Sequence, residues 1–243
     1  PDWHPRPGAP TVPRMHPIEH LRYVARARGL DPVELAREAA TALGSLRGEH
    51  RELVIACRRI VERHPEAGPL WWMGAEILTS PEPGRAAWEL VDRLGDDRTA
   101  RTVAAALPDE ATVVTIGWPA TGGAALMRRG DARVWCVDSR FEASGFLQRL
   151  ERSDVECEPV PAESMARAVA SADLVLVDAV AASPQRVLAP VGSHVLAAVA
   201  ASLGTPVWCV AGIGRRLPTE YVDEIADRLL SGDPWDLDVD DLP

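Results

Sequence analysis

Residues 111–123 read ATVVTIGWPATGG, an apolar, β-branched run that ends in a glycine-rich turn. A short apolar run bounded by turn residues predicts a buried strand, and a helix is predicted after the turn. The pattern recurs along the chain and predicts further strands at 132–138, 154–160, 172–178 and 206–212, with helices between them. Continuous apolar strands that alternate with helices indicate a parallel sheet covered on both faces. The sequence therefore predicts an α/β fold with a doubly wound parallel sheet over residues 109–232.

The chain upstream of this sheet has helical periodicity and no strand pattern. Residues 15–108 are predicted to form an all-helical domain, in which Asp31 caps a helix that begins with Pro32. Residues 1–14 contain five prolines, so we expect them to form a flexible arm. A chain of 243 residues is long enough for these two domains.

The net charge of −10 is concentrated near the C-terminus, where residues 220–243 hold nine Asp or Glu and one Arg. We expect residues 233–243 to form an acidic tail, either solvated and mobile or docked through Trp235 and Leu237. All 26 basic residues are arginine, and the lack of lysine excludes Schiff-base chemistry and a Walker A loop. No basic stripe is present, so we expect no direct nucleic-acid partner.

The four cysteines are too far apart in the sequence for a CxxC pair, and no His, Cys and Asp cluster has the spacing of a metal site. We therefore expect no metal and no cofactor. No signal peptide is evident, and no apolar run reaches the roughly 18 residues that a membrane helix needs. The sequence thus predicts a cytoplasmic protein without membrane association.

Candidate binding residues lie where the predicted strands end, because parallel α/β sheets bind ligands beyond the carboxyl ends of their strands. The first strand is followed by Gly117, Trp118, Thr121, Gly122 and Gly123. Their backbone N–H groups and the start of the next helix could cradle a phosphate, or they could form a plain strand-to-helix turn. The Trp118 ring could stack on a ligand or fill the core.

Three charged residues follow the second and fourth strands. Asp138 could bind a ribose hydroxyl and Arg140 could hold a phosphate, or the two could form surface ion pairs. Asp178 ends a fully apolar run, so we expect its carboxylate to lie at the crevice beyond the end of the fourth strand. It is a candidate for a catalytic acid or base.

The segment Gly192-Ser193-His194 opens a helix predicted over residues 192–204. Ser193 is the predicted N-cap, and an anion could bind at the same helix start, with Gly192 contributing its backbone. His194 is a second candidate general base, or an ordinary surface histidine.

The order of these motifs resembles the family of translation initiation factor 2B regulatory subunits (alpha, beta and delta), which includes methylthioribose-1-phosphate isomerase and ribose-1,5-bisphosphate isomerase. The resemblance runs over residues 46–236. The segments that carry it are Arg63–Leu70, Asp138–Arg140 with Gly145, Gly192–Ala197 followed by Pro206–Trp208, and Asp233–Asp236. It implies a helical N-terminal domain followed by a Rossmann-like domain of the sugar-isomerase and CoA-transferase type. It also implies a homodimer formed through the Rossmann-like domain.

The catalytic residues of the related isomerases are not matched. Those enzymes have a Cys after the first strand, where this sequence has Thr115–Trp118. Their catalytic Asp falls on Val180, and Asp178 lies two residues earlier. The resemblance therefore predicts a non-catalytic sensor or regulatory subunit that binds a phosphorylated metabolite or nucleotide, with a possible protein partner for its helical domain. The alternatives are a sugar-phosphate isomerase with an altered active site that uses Asp178 and His194, and an assembly protein whose pocket is filled by Trp118.

Overall fold

The structure is a computed structural model that describes residues 17–27, 31–45, 50–140 and 142–242. The arm predicted at residues 1–14 lies outside the described residues. The described chain begins with helices α1 Pro17–Arg26, α2 Pro32–Gly44, α3 His50–Arg63, α4 Gly68–Thr79, α5 Pro83–Gly95 and α6 Thr99–Ala106. Helices α1–α5 share an apolar core in which Leu70 and Met73 of α4 are fully buried against residues of α2 and α5, whereas α6 packs against the helix at Ala120–Arg129.

Helix α2 begins as predicted from the sequence. Asp31 Oδ1 accepts hydrogen bonds from the N–H groups of Val33 (2.8 Å) and Glu34 (3.3 Å). Pro32 occupies the first turn, where its missing N–H leaves no hydrogen bond unmade. The Asp-Pro pair therefore fixes the start of this helix.

Strands alternate with helices in the rest of the described chain. The strands are β1 Thr112–Ile116, β2 Arg133–Val137, β3 Cys157–Val160, β4 Leu174–Asp178, β5 Ala181–Ala182, β6 Val187–Pro190, β7 Val207–Val210 and β8 Val239–Leu242. The helices are α7 Ala120–Arg129, α8 Ala143–Glu151, α9 Met165–Ala170, α10 Ser193–Leu203 and α11 Thr219–Leu229, and a single 3-10 turn at Ala162–Ser164 precedes α9.

The main sheet has five parallel strands in the order β3-β2-β1-β4-β7. Helices cover both faces: Leu176 shares one core with Phe146 of α8, and Val177 shares the other core with Leu196 of α10. The strand order reverses between β1 and β4, which is where such sheets open a crevice at their carboxyl edge. The predicted α/β fold class, with helices followed by a doubly wound parallel sheet, is confirmed.

A second, three-stranded antiparallel sheet in the order β5-β6-β8 was not predicted from the sequence. Its last strand comes from the acidic tail: residues 239–242 pair with residues 187–190 of β6. Val239 and Leu242 are buried, and the aspartates between them are half-buried. Docking of the tail through Trp235 is wrong, because this side chain is 85% exposed and the buried anchors are Val239 and Leu242.

The start of α4 and the connection between α5 and α6 pack directly on the segments that follow β4 and β7. A Cβ atom at Gly68 would lie 2.7 Å from the carbonyl oxygen of Val180, and one at Gly214 would lie 2.9 Å from the Cα of Pro69. Asp97 Oδ2 also accepts a hydrogen bond from the Ile213 N–H at 2.9 Å. The helical part is therefore held against the carboxyl edge of the sheet by close backbone contact.

Candidate functional site

The crevice at the carboxyl edge of the sheet begins at the turn between β1 and α7. Gly117 has a left-handed backbone conformation (φ 61°), which glycine adopts without steric cost. Its N–H donates a hydrogen bond to the Val137 carbonyl at the end of β2 (3.0 Å). The turn thus ties the ends of two neighbouring strands together and directs the chain into α7.

The start of α7 is occupied by a carboxylate of the protein itself. Asp178, at the end of β4, accepts a hydrogen bond from the Thr121 N–H at Oδ2 (2.7 Å) and another from the Gly122 N–H at Oδ1 (2.9 Å). A side chain at Gly122 would strike both this carboxylate and Leu176. The Gly123 N–H donates to the Pro119 carbonyl at 2.7 Å. The N–H groups predicted to cradle a phosphate therefore have partners within the protein.

The environment of Asp178 is buried and polar. Burial raises the pKa of Asp178, and the charge of Arg215 and the two backbone donors oppose that rise. The Arg215 side chain is itself buried and donates a hydrogen bond to the Ala179 carbonyl. Arg215 Nε and Thr115 Oγ1 have no hydrogen-bond partner in the part of the chain that the structure describes. Sequence reasoning missed Arg215, although the strand-end rule that selected Asp178 also applies to the residues after β7.

The start of α10 is occupied by a second carboxylate, from the C-terminal strand. Asp240 Oδ2 accepts hydrogen bonds from the Gly192 N–H (2.8 Å) and the His194 N–H (2.9 Å). His194 Nδ1 donates to the Asp241 carbonyl at 2.8 Å. The prediction that Ser193 is the N-cap is wrong: Gly192 (φ 94°) is the cap residue, and Ser193 is the first helical residue, fully buried. Its hydroxyl has no partner in the described residues.

Arg140 holds the same C-terminal segment. Its Nη2 donates to the carbonyl of Leu237 (2.7 Å) and to that of Trp235 (3.3 Å), and its Nε lies 2.9 Å from Asp238 Oδ1. Arg186, which directly precedes β6, adds an ion pair to Asp241 at 2.8 Å. Residues 233–242, which we call the C-terminal strap, are therefore bound across the crevice by arginines and by the start of α10.

The mouth of the crevice is acidic. Asp138 is exposed and accepts a hydrogen bond from the Ala143 N–H at the start of α8 (3.2 Å). Partial burial and the charges of Asp238 and Asp138 raise the pKa of the neighbouring Glu142. These carboxylates oppose the approach of an anion, and of the three only Asp238 belongs to the strap.

Trp118 lies on α8 and is 41% exposed. Its ring is 6.3 Å from that of Phe146, and a Cβ atom at Gly145 would lie 2.8 Å from it. The ring thus covers the first turn of α8, while the helix starts that face the crevice are occupied by Asp178 and Asp240.

A separate concave site lies between the helical part and α11. A cavity of about 470 Å³ is lined in part by Cys57, Trp71, Tyr221 and Arg228. The rings of Trp71 and Tyr221 are 6.2 Å apart, and the Arg228 guanidinium lies 5.1 Å from the Trp71 ring. Sequence reasoning did not predict this cavity, because its lining comes from helices distant in the chain.

Two classes of site are not found in the described residues. No group of three His, Cys, Asp or Glu side chains is arranged to hold a metal ion. None of the described helices combines the length and the apolar character that crossing a bilayer requires.

The described chain is a helical unit followed by a doubly wound parallel sheet. Solved structures share this fold. Translation initiation factor eIF-2B of Pyrococcus horikoshii OT3 superposes with a TM-score of 0.75 at 17% identity, covering 93% of this chain and 91% of that one. The delta subunit of eIF2B from Chaetomium thermophilum superposes with a TM-score of 0.68 at 15% identity, covering 93% of each chain.

The beta subunit from the same organism has a TM-score of 0.69 at 12% identity, covering 93% of this chain and 83% of that one. No family model and no curated protein matches the sequence. The predicted resemblance to initiation factor 2B subunits is confirmed at the level of fold, and the relation to sugar-phosphate isomerases remains a prediction.

Proposed function

We propose that this chain is a non-catalytic regulatory protein of the initiation factor 2B type that binds a phosphorylated small molecule at the start of α10. The observation that carries the proposal is the pair of hydrogen bonds from the Gly192 and His194 N–H groups to one carboxylate oxygen of Asp240. Two N–H donors that converge on one oxygen at a helix start suit an oxyanion, and a phosphate oxygen accepts from the same donors.

A ligand at this position has to displace Asp240. Asp240 is half-buried and lies on β8, a four-residue strand at the edge of the small antiparallel sheet, so it is exchanged more readily than a core residue. Departure of the strap also frees Arg140, whose guanidinium is suited to a bidentate contact with phosphate. The strap is thus an internal competitor for the ligand.

We propose a non-catalytic protein because Asp178, the candidate acid or base, is buried and already hydrogen-bonded. Both of its oxygens accept backbone hydrogen bonds, and the side chain is only 6% exposed. A carboxylate that caps a helix in the interior is poorly placed to exchange protons with a bound sugar. We therefore rank the altered isomerase using Asp178 and His194 below the regulatory protein.

The proposed assembly is a homodimer in the cytoplasm, with residues 109–232 as the ligand-binding domain and residues 15–108 facing a protein partner. A solved neighbour with a TM-score of 0.66, the tetrameric eIF2B-beta2-delta2 complex of C. thermophilum, consists of associated subunits. That arrangement supports association as the way in which this fold acts.

The test is thermal unfolding with inorganic phosphate, sugar monophosphates and bisphosphates, AMP and GMP. A compound at 100 times its dissociation constant stabilises the native state by about 2.7 kcal/mol. We expect Asp240→Ala to bind such a compound more tightly than wild type, because the competing carboxylate is gone. Asp236→Ala is the matched control, since it removes an exposed carboxylate of the same strap that holds neither the helix start nor an arginine in the described residues.

Two outcomes contradict the proposal. If no compound stabilises either wild type or Asp240→Ala, the site at α10 binds no phosphate. If a compound that binds is converted to product and Asp178→Ala abolishes that conversion while remaining folded, the protein is an enzyme.

A further inference from the structure

The cavity of about 470 Å³ between the helical part and α11 lies outside the site of the proposed function. We call it the three-helix cavity, because its lining comes from α3 (including Arg58 and Glu62), α4 (including Trp71 and Gly74) and α11 (including Tyr221). Sites that bind small molecules have volumes of about 300–1,000 Å³ and combine apolar walls with a few polar groups. The volume is in this range, so the lining decides which ligand fits.

Small residues on α4 leave the cavity open. Gly74 lies in the middle of α4, where glycine lowers the stability of the helix relative to alanine. A Cβ atom there would have its nearest neighbour, the Cys57 Cβ, at 3.7 Å, and the backbone of Gly74 is not left-handed. Packing therefore does not require glycine at this position. Together with Ala75, which also lines the cavity, it leaves room for a ligand beside the aromatic side chains.

Two aromatic side chains form adjoining walls of the cavity. The rings of Trp71 and Tyr221 are 6.2 Å apart and inclined by 51°, so they are not stacked on each other. The indole is fixed in orientation, because Trp71 Nε1 donates a hydrogen bond to the Pro65 carbonyl at 3.1 Å. Both aromatic residues are half-buried. Aromatic faces that are held in this way favour a flat ring as the ligand.

The charges around the cavity cancel. The lining contains two arginines, Arg58 and Arg228, and two glutamates, Glu62 and Glu224. Glu224 Oε1 accepts hydrogen bonds from Arg228 Nε (2.8 Å) and Nη2 (2.6 Å), and the Arg228 guanidinium lies 5.1 Å from the Trp71 ring. A lining without net charge selects neither a cation nor an anion. The ligand expected here is therefore uncharged.

Arg58 and Glu62 can bind the edge of such a ring. They are four residues apart on α3, which puts them on the same side of the helix. Neither forms an ion pair within the described part of the chain, so both are open to a ligand. Arginine only donates hydrogen bonds and a carboxylate only accepts them. The ring therefore needs an acceptor and a donor next to each other, as in adenine, whose N7 accepts beside the N6 amino group.

We propose that the three-helix cavity binds a purine base, with the ring against Trp71 and Tyr221 and its edge toward Arg58 and Glu62. A purine has the flat ring that the aromatic walls favour, and it carries no charge. No residue that lines this cavity belongs to α10 or to the C-terminal strap. The inference therefore goes beyond the proposed function and does not depend on it, and a nucleoside without phosphate reports on this cavity.

The experiment is isothermal titration calorimetry of the full chain with adenosine, and with indole and uridine as comparison probes. Indole has a double ring without nitrogens that accept hydrogen bonds, and uridine has a single ring. We expect adenosine to bind saturably and more tightly than either. Ala75→Leu adds a larger side chain at the lining and should remove adenosine binding. Ala105→Leu, at an exposed position of α6, is the matched control and should leave it unchanged.

A second pair of variants tests recognition of the purine edge. Arg58→Met removes the hydrogen-bond donors and should weaken adenosine binding about tenfold, as expected for the loss of a hydrogen bond to a charged group. Arg59→Met is the matched control, since Arg59 is also exposed on α3 and does not line the cavity. Far-UV circular dichroism and thermal unfolding establish that each variant is folded. Should Ala75→Leu not fold, the comparison of Arg58→Met with Arg59→Met decides.

Each of the following results overturns the inference. If wild type does not bind adenosine, the cavity is not a purine site. If Ala75→Leu binds adenosine as well as wild type does, adenosine is bound elsewhere. If indole or uridine binds as tightly as adenosine, or if Arg58→Met has no effect, the purine edge is not recognised. None of these results bears on the site at α10, which is tested with inorganic phosphate and Asp240→Ala.

Discussion

Replacing Asp178 with alanine tests whether this carboxylate acts as a structural cap. The change leaves the N–H groups of Thr121 and Gly122 without their acceptor and removes the charge that faces the buried Arg215. A buried donor without a partner costs about 1–3 kcal/mol. Thr121 is half-buried and regains water, whereas Gly122 is buried and does not. The net loss of stability is smaller than these costs, because the wild type spends free energy on burying the Asp178 carboxylate and the variant does not. The same burial raises the pKa of Asp178.

We therefore expect Asp178→Ala to lower the free energy of unfolding by about 1–3 kcal/mol, working from the cost of the one buried donor that is left unpaired. For a chain of this size, about 1 kcal/mol corresponds to roughly 2–4 °C in the melting temperature. Urea unfolding followed by tryptophan fluorescence measures the first quantity, and calorimetry measures the second.

Asp138→Ala is the matched control for this prediction. Asp138 also follows a strand and accepts a helix N–H, but it is exposed and makes that one bond at 3.2 Å. We expect a loss of no more than about 1 kcal/mol, the usual cost of an exposed cap. Equal losses for the two variants, or a stability of Asp178→Ala equal to wild type, would refute the argument from burial.

Two further predictions use other parts of the fold. Gly68→Ala should lower the free energy of unfolding in urea by about 1–3 kcal/mol, because the new Cβ would lie 2.7 Å from the Val180 carbonyl oxygen. Gly74→Ala in the middle of α4 is the control and should raise it by about 0.5–1 kcal/mol, since the nearest atom is 3.7 Å away. If Gly74→Ala proves less stable than Gly68→Ala, the close packing at Gly68 is contradicted. Burial raises the pKa of Cys57 to about 11 and that of Cys136 to about 12. A thiol reagent at neutral pH should therefore leave both cysteines unmodified in the native protein and modify them in urea, as measured by mass spectrometry. Rapid modification of either cysteine in the native protein would contradict this prediction.

The fold was predictable because the signals that determine it are local. The strands β1, β2 and β4 are five-residue segments of mainly apolar residues, with a Gly or an Asp at or just after the end of each. The start of α2 depends on two adjacent residues, Asp31 and Pro32. The antiparallel sheet was missed for the same reason. β5 has two residues and β8 reads VDDL, so neither has a run long enough to distinguish it from a loop or a solvated tail.

The position of the candidate site could be predicted from the sequence, but the carboxylates that occupy it could not. The strand-end rule selected the starts of α7 and α10, and both bind an anionic oxygen in the structure. The anions are carboxylates of the chain itself, which lie 56 or 57 residues from their partners for Asp178 and 46 or 48 for Asp240. Contacts over such separations depend on the complete fold and leave no periodic or spacing signal in the sequence.

The carboxylates at the starts of α7 and α10 differ in how firmly the fold holds them. Asp178 belongs to a fully buried central strand, so removing it from α7 requires opening the core of the sheet. Asp240 belongs to a four-residue strand at the edge of a small sheet, and the segment that leads to it is largely exposed. Segments of this kind open at a lower free energy than central strands do. A ligand that reaches this crevice can therefore exchange with Asp240 while Asp178 stays in place, which makes the start of α10 the position at which binding and the conformation of the strap are coupled.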